Sequence, residues 1–223
     1  MQRGKLLAFE GPGVSDKDGR IERIREKSPV KCFLVRDPWG DSFAELVQEL
    51  PAWMRANPSR EPAWDSFPFF KARAEYVKSV IEPRLEEGVS VFASPYAASA
   101  YASLIAGDGR RELGSAFVSI CASLPRALKP DAYIVLNMPP GTMHSRMKLC
   151  AEDALARGEE LEVRPHKYYE GVRDGLLRFG RHARETEKSQ LVVISAEKDP
   201  LYIEENLRHW IGDVLGVEQA ATA

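Results

Sequence analysis

The sequence predicts an α/β fold built on a five-stranded, mainly parallel sheet flanked by helices. Three observations carry this. Short apolar runs rich in β-branched residues alternate with longer stretches of helical periodicity, the signature of βαβ units. Each run is followed by polar or Gly/Pro punctuation and then by a helix-compatible segment. The length of 223 residues suits one core, with no linker to divide it, so a single domain over 1–223 is expected.

The strand candidates are, in order, "KLLAF", "KCFLV", "VSVFA", "AYIVLN" and "QLVVIS". Between the second and third, Ala72, Tyr76, Val77, Val80, Ile81 and Leu85 repeat at helical spacing and predict a helix over Phe69 to Glu87. The preceding "LPAWMRANPSREPAWDSFPF" reads as a long irregular connection, a class of loop that tends to be functional. Residues 150–165, "CAEDALARGEELEVRP", carry many charges and few apolar anchors. They suit a solvated helix or a movable lid, and composition favours the helix. The tail "GVEQAATA" reads as a frayed end.

With 31 basic and 33 acidic side chains the formal net charge is −2, which offers no broad electrostatic footprint for nucleic acid. No apolar run approaches bilayer-spanning length and no signal-peptide core follows "MQRGK", so a soluble protein away from membranes is expected. Cys32, Cys121 and Cys150 form no CxxC and suit thiols of a cytoplasmic or other reducing compartment, with Cys32 expected to be buried. His144, His166, His182 and His209 are scattered and read as surface residues, and no metal-ligand spacing or hydrolase motif occurs.

The stretch "LLAFEGPGVSDKDGR" has the outline of a phosphate loop. The pattern GxxxxGK[ST] follows a strand because its backbone N–H groups must converge on phosphates, its lysine must reach them and its hydroxyl must hold magnesium. Gly11 and Lys17 keep that spacing, while the second glycine is Asp16 and the hydroxyl position is Asp18, followed by Gly19. Beside it stand "VRDPWGD", "FPFFKARAEYVKSVIEPRLEEG", "SPYAAS", "KPDAYIVLN" and "HKYYEGVRDGLLRF". Taken in this order, nearly the whole chain resembles the thymidylate kinase family, which implies a three-layer P-loop NTPase fold, ATP and magnesium as cofactors, dTMP as acceptor and a homodimer.

The resemblance implies roles residue by residue. Gly11, Gly13, Lys17 and Asp18 match the nucleotide-binding loop, with Lys17 serving the phosphates. Phe69 and Arg73 share a helix face and match a pair in which the ring stacks on thymine and the guanidinium reaches base and phosphate. Arg36 matches an arginine on the acceptor phosphate, and Tyr96 and Ser99 match the end of an Asp-Arg-Tyr-x-x-Ser motif. Tyr169 and Arg173 match a late helix concerned with packing and closure. Arg146 stands where a phosphate-stabilising charge could enter, although a surface arginine is the blander reading. The apolar stretches "YASLIAG" and "FVSICASL" suit either a dimer surface or core helices.

The departures fall on the chemistry. Ser94 and Pro95 replace the family's Asp-Arg pair, and proline has neither charge nor donor. Gly13 replaces an acidic residue that meets the sugar, and Ser103 and Leu104 replace a Tyr-Gln pair that reads the base. A carboxylate about 4 Å from a phosphate charge costs about 1 kcal/mol in water-like surroundings and about 4 kcal/mol in a partly enclosed site. A Cβ at position 16 adds strain if the turn needs positive φ. Asp16 and Asp18 are expected to fill the anion hole themselves, leaving a kinase-like protein whose transfer of phosphate from ATP to dTMP is lost or greatly weakened and which acts by binding a partner. The alternative is a divergent but active nucleoside monophosphate kinase in which Asp18 takes magnesium.

Overall fold

The computed structural model describes residues 3–26, 30–36, 76–110, 114–115, 117–118, 121 and 129–217. Five strands, β1 (Leu6–Glu10), β2 (Cys32–Arg36), β3 (Ser90–Ser94), β4 (Ala132–Asn137) and β5 (Gln190–Ser195), form one sheet in the order β2-β3-β1-β4-β5. All pairings are parallel. Central β1 is buried along its whole length, as the apolar run Leu6–Phe9 in a sheet covered on both faces requires. At the far edge β5 alternates, with Val192 and Ile194 inside and Val193 exposed.

Helices cover the sheet: α1 (Lys17–Glu26), α2 (Glu82–Glu86), α3 (Ala97–Tyr101), α4 (Pro140–Ala156), α5 (His166–Thr186) and α6 (Pro200–Leu215). The result is the three-layer α/β arrangement expected of a P-loop fold. A π-helical segment, Val77–Ile81, leads into α2 and buries Val77, Ile81 and Leu85 at four-residue spacing. Phe69, Arg73, the 50–69 connection and the turn after Arg36 lie outside the described residues.

Helix ends follow their sequence signals. Pro200 opens α6, Asp199 Oδ1 accepts from the N–H groups of Leu201 at 2.9 Å and Tyr202 at 3.4 Å, and left-handed Gly216 closes it. Helix α3 continues as a π-helical segment, Ala102–Gly107, that packs beneath α5. The contact is close because α5 carries glycine there: a Cβ at Gly171 would lie 2.2 Å from the Ala106 carbonyl oxygen. "YASLIAG" is therefore core, with Tyr101, Ala102 and Ile105 buried. Within "FVSICASL", Phe117 and Cys121 are buried, and the Phe117 ring meets Tyr101 and Phe179.

Two expectations need correction. Residues 150–165 are not one solvated helix: α4 ends at Ala156, Gly158 turns with φ +77°, and 159–165 returns as an irregular strap. Its charges leave it little to bury, so it is tied at its end, where Arg164 pairs with Asp108 and donates its N–H to Tyr169 Oη at 3.3 Å. Cys32 is half-buried, because β2 is an edge strand, whereas Cys121 is buried and Cys150 exposed.

Candidate functional site

In this strand order, connections from β1 and from β3 diverge to opposite sides of β1. The carboxyl ends of β1, β3 and β4 therefore flank a crevice, the usual ligand position in such sheets. Glu10, Ser94 and Asn137 end those strands. Arg36 ends β2 in register with Ser94.

The loop 11–16 leaves β1 through Gly11 at φ +154°, where a Cβ would stand 3.0 Å from the Leu136 carbonyl oxygen, so only glycine fits. Pro12 and a short 3-10 turn, Gly13–Ser15, follow, and Ser15 closes the turn through its N–H and Oγ to the Pro12 carbonyl. Asp16 then takes the left-handed conformation at φ 55° and ψ 29°. Glycine adopts this conformation freely, and aspartate tolerates it better than most residues.

The side chains do not all behave as expected. Asp16 does not enter the anion hole. Its carboxylate folds over the first turn of α1, 3.3 Å from Arg23 Nη2 and 4.0 Å from Arg20 Nε. Two nearby guanidinium groups outweigh the partial charge of loop N–H groups. Arg23 also holds Glu204 of α6 at 2.8 Å, which anchors the loop to the C-terminal helix. Asp18 does turn inward: its Oδ1 accepts from Ser94 Oγ at 2.5 Å and lies 3.8 Å from Lys17 Nζ. Lys17 is buried, and Asp18 is its partner among the described residues. Gly13 is exposed at the loop tip, with open space around it.

Arg146 is not a plain surface residue. It reaches back from α4 and donates Nη1–H to the Val14 carbonyl at 3.1 Å, so a cation stands against the loop. Arg173 donates Nε–H to Asn137 Oδ1 at 3.0 Å, and Tyr169 of α5 is buried. His144 and His166 are not scattered: their rings lie 5.9 Å apart because the chain returns from α4 to α5 at this place. Burial, with Lys148 and His166 nearby, lowers the His144 pKa.

Glu10 is the residue that sequence reasoning misses. Fully buried, it accepts N–H groups from Tyr96 at 3.1 Å, Ala98 at 2.9 Å and Ser99 at 3.0 Å, so a carboxylate at the end of β1 caps α3. Burial raises its pKa and these hydrogen bonds oppose the rise. Ser99 completes the link by accepting the Gly11 N–H at 3.4 Å. Tyr96 and Ser99 are thereby tied to the loop through Glu10, and the available signal is an acidic residue ending an otherwise apolar buried run. Asp131 does structural work at the opposite end of the sheet, accepting the Leu6 N–H at 2.9 Å. Among the described residues no group of three or more His, Cys, Asp or Glu side chains could hold a metal ion.

No family model matches the chain. Individual proteins do. A probable thymidylate kinase of Pyrobaculum aerophilum is 30% identical over 143 residues, covering 64% of this chain and 69% of that protein. The chain belongs to the thymidylate kinase family. The thymidylate kinase of Carboxydothermus hydrogenoformans is 29% identical over 189 residues, 82% of this chain and 87% of that protein. That of Pseudomonas fluorescens strain Pf0-1 is 24% identical over 218 residues, 95% and 97% of the two chains. Among the described residues no helix is long and apolar enough to cross a membrane.

Proposed function

We propose that this is a thymidylate kinase-like protein in which ATP-dependent phosphorylation of dTMP is lost or greatly weakened, and which acts as a scaffold or partner-binding subunit. Support comes from one contact above the others. Lys17, the residue that should grip phosphates, is buried and engaged by Asp18, while the end of β3 offers Ser94 and Pro95 in place of charge. Phosphoryl transfer relies on positioning and charge neutralisation. These side chains fit a magnesium–triphosphate complex poorly.

The remaining assignments belong to the same proposal. Gly11, Gly13, Lys17 and Asp18 outline what is left of the nucleotide loop, and Arg36, Phe69, Arg73, Tyr96 and Ser99 the pocket for a dTMP-like nucleotide. Arg146 braces the loop, and 150–165 serves as a lid on a single domain. The protein works as a homodimer in a reducing intracellular compartment, independent of nucleic acid and membranes.

The second reading, an active but divergent nucleoside monophosphate kinase using ATP and magnesium, is favoured by one observation. Asp18 and Ser94 still bring a carboxylate and a hydroxyl together beside the loop, the donor types that hold magnesium in P-loop enzymes. A coupled assay of ADP formation with Mg-ATP and dTMP separates the two. The proposal expects at most a residual rate, roughly 10³-fold or more below the usual 1–100 s⁻¹ of kinases, in line with the cost of losing a transition-state arginine. dTMP-dependent ADP formation at an ordinary kinase rate would establish the active kinase instead.

A further inference from the structure

The two aspartates of the loop each meet a neighbour that accommodates them. Asp16 stands where a phosphate loop has glycine, and Gly19 stands where a Cβ would lie 2.6 Å from Asp16 Oδ1. Asp18 stands where the loop has a hydroxyl, and Ser94, a hydroxyl at the end of the neighbouring strand, donates to it at 2.5 Å.

We propose that Asp18 is an internal lock on the phosphate site: its carboxylate stands in for a phosphate oxygen toward Lys17 and Ser94, and so keeps phosphate-bearing ligands out. The lock rests on the proposed reading of this loop as a phosphate site that repels its ligand, and it names the group responsible. The Lys17 side chain is 7% exposed and has Asp18 Oδ1 at 3.8 Å. An arriving phosphate must therefore displace a carboxylate, deprive it of its cation and take the hydrogen bond of Ser94. Asp16 is not the lock, because its carboxylate is turned toward Arg20 and Arg23, 4.0 and 3.3 Å away.

The test is calorimetric titration of the full chain with inorganic pyrophosphate in buffer free of divalent cations. Asp18→Asn removes the charge while keeping an oxygen for Ser94. It is expected to bind pyrophosphate about tenfold or more tighter than the parent, a modest figure because half of the Asp18 side chain is solvated. Asp16→Asn should gain less than about threefold, as its charge is already met by two arginines. Asp18→Thr replaces Asp18→Asn if the latter loses the native circular dichroism spectrum. The lock is overturned if a folded Asp18 variant gains nothing, if Asp16→Asn gains as much, or if the parent already binds as tightly as the variant. Because no turnover is read, an active parent would sink the proposed function without deciding this outcome, and an unlocked site would not make the parent a kinase.

Discussion

At the residue scale, Glu10 shows how a charged side chain can serve the interior. Three N–H groups converge on a carboxylate with no exposure, and each bond contributes because the alternative is an unsatisfied donor in a dry place. Its raised pKa sets a pH dependence with a definite sign. The folded state holds the proton more readily than the unfolded state. The carboxyl's contribution is thus complete below the unfolded pKa and is lost as pH rises through the folded one, above the ordinary carboxylate value. Glu10→Gln should abolish that step in a plot of Tm against pH. It should also lower stability by about 1–3 kcal/mol throughout, since an amide turns an NH2 toward groups that are themselves donors. A Glu10→Gln curve parallel to the parent's would remove Glu10 from the titration. In the loop, Asp16→Gly combined with Asp18→Thr should bind Mg-ATP measurably by calorimetry, with most of the gain present in Asp18→Thr alone. Full turnover is not expected while Ser94 and Pro95 remain. Equal gains from the two single changes would contradict the orientation of Asp16.

At the element scale, α5 and the helix α3 with its extension act as one packed pair. Tyr169, Val172, Leu176, Phe179 and Ala183 form a buried stripe at three- and four-residue spacing, and Gly171 and Gly175 let the backbones approach. Gly171→Ala would place a methyl group against the Ala106 backbone oxygen, which has no free end to swing away. The expected cost is about 1–3 kcal/mol by urea unfolding, well beyond the gain in helix propensity. A neutral or stabilised variant would show that the pair can slide apart at little cost. Strands and helix ends are legible in the sequence. Period-two and period-3.6 patterns belong to the local chain, as do the Pro139-Pro140 and Asp199-Pro200 starts. The strap after Ala156 is not legible in that way, because a charged segment looks alike whether it coils or extends. The choice falls to Gly158 and to the anchors at Arg164.

At the scale of the whole molecule, the parallel sheet brings residues far apart in sequence to one crevice, and the ligand response should report how well they cooperate. A ligand that binds only the folded state raises Tm in proportion to the logarithm of its concentration over Kd. With Lys17 engaged by Asp18, Mg-ATP at sub-millimolar concentration should move Tm by less than about 2 °C, and a shift of several degrees would contradict the proposed function. The chain by itself determined the five strands, their alternation with helices and the kinship with thymidylate kinases, because these depend on local pattern. Only the tertiary structure decided where the two loop carboxylates point. Aspartates two residues apart are chemically identical in a sequence, and their fates diverge because Arg23, held by Glu204, lies on one side of the loop and Ser94 on the other.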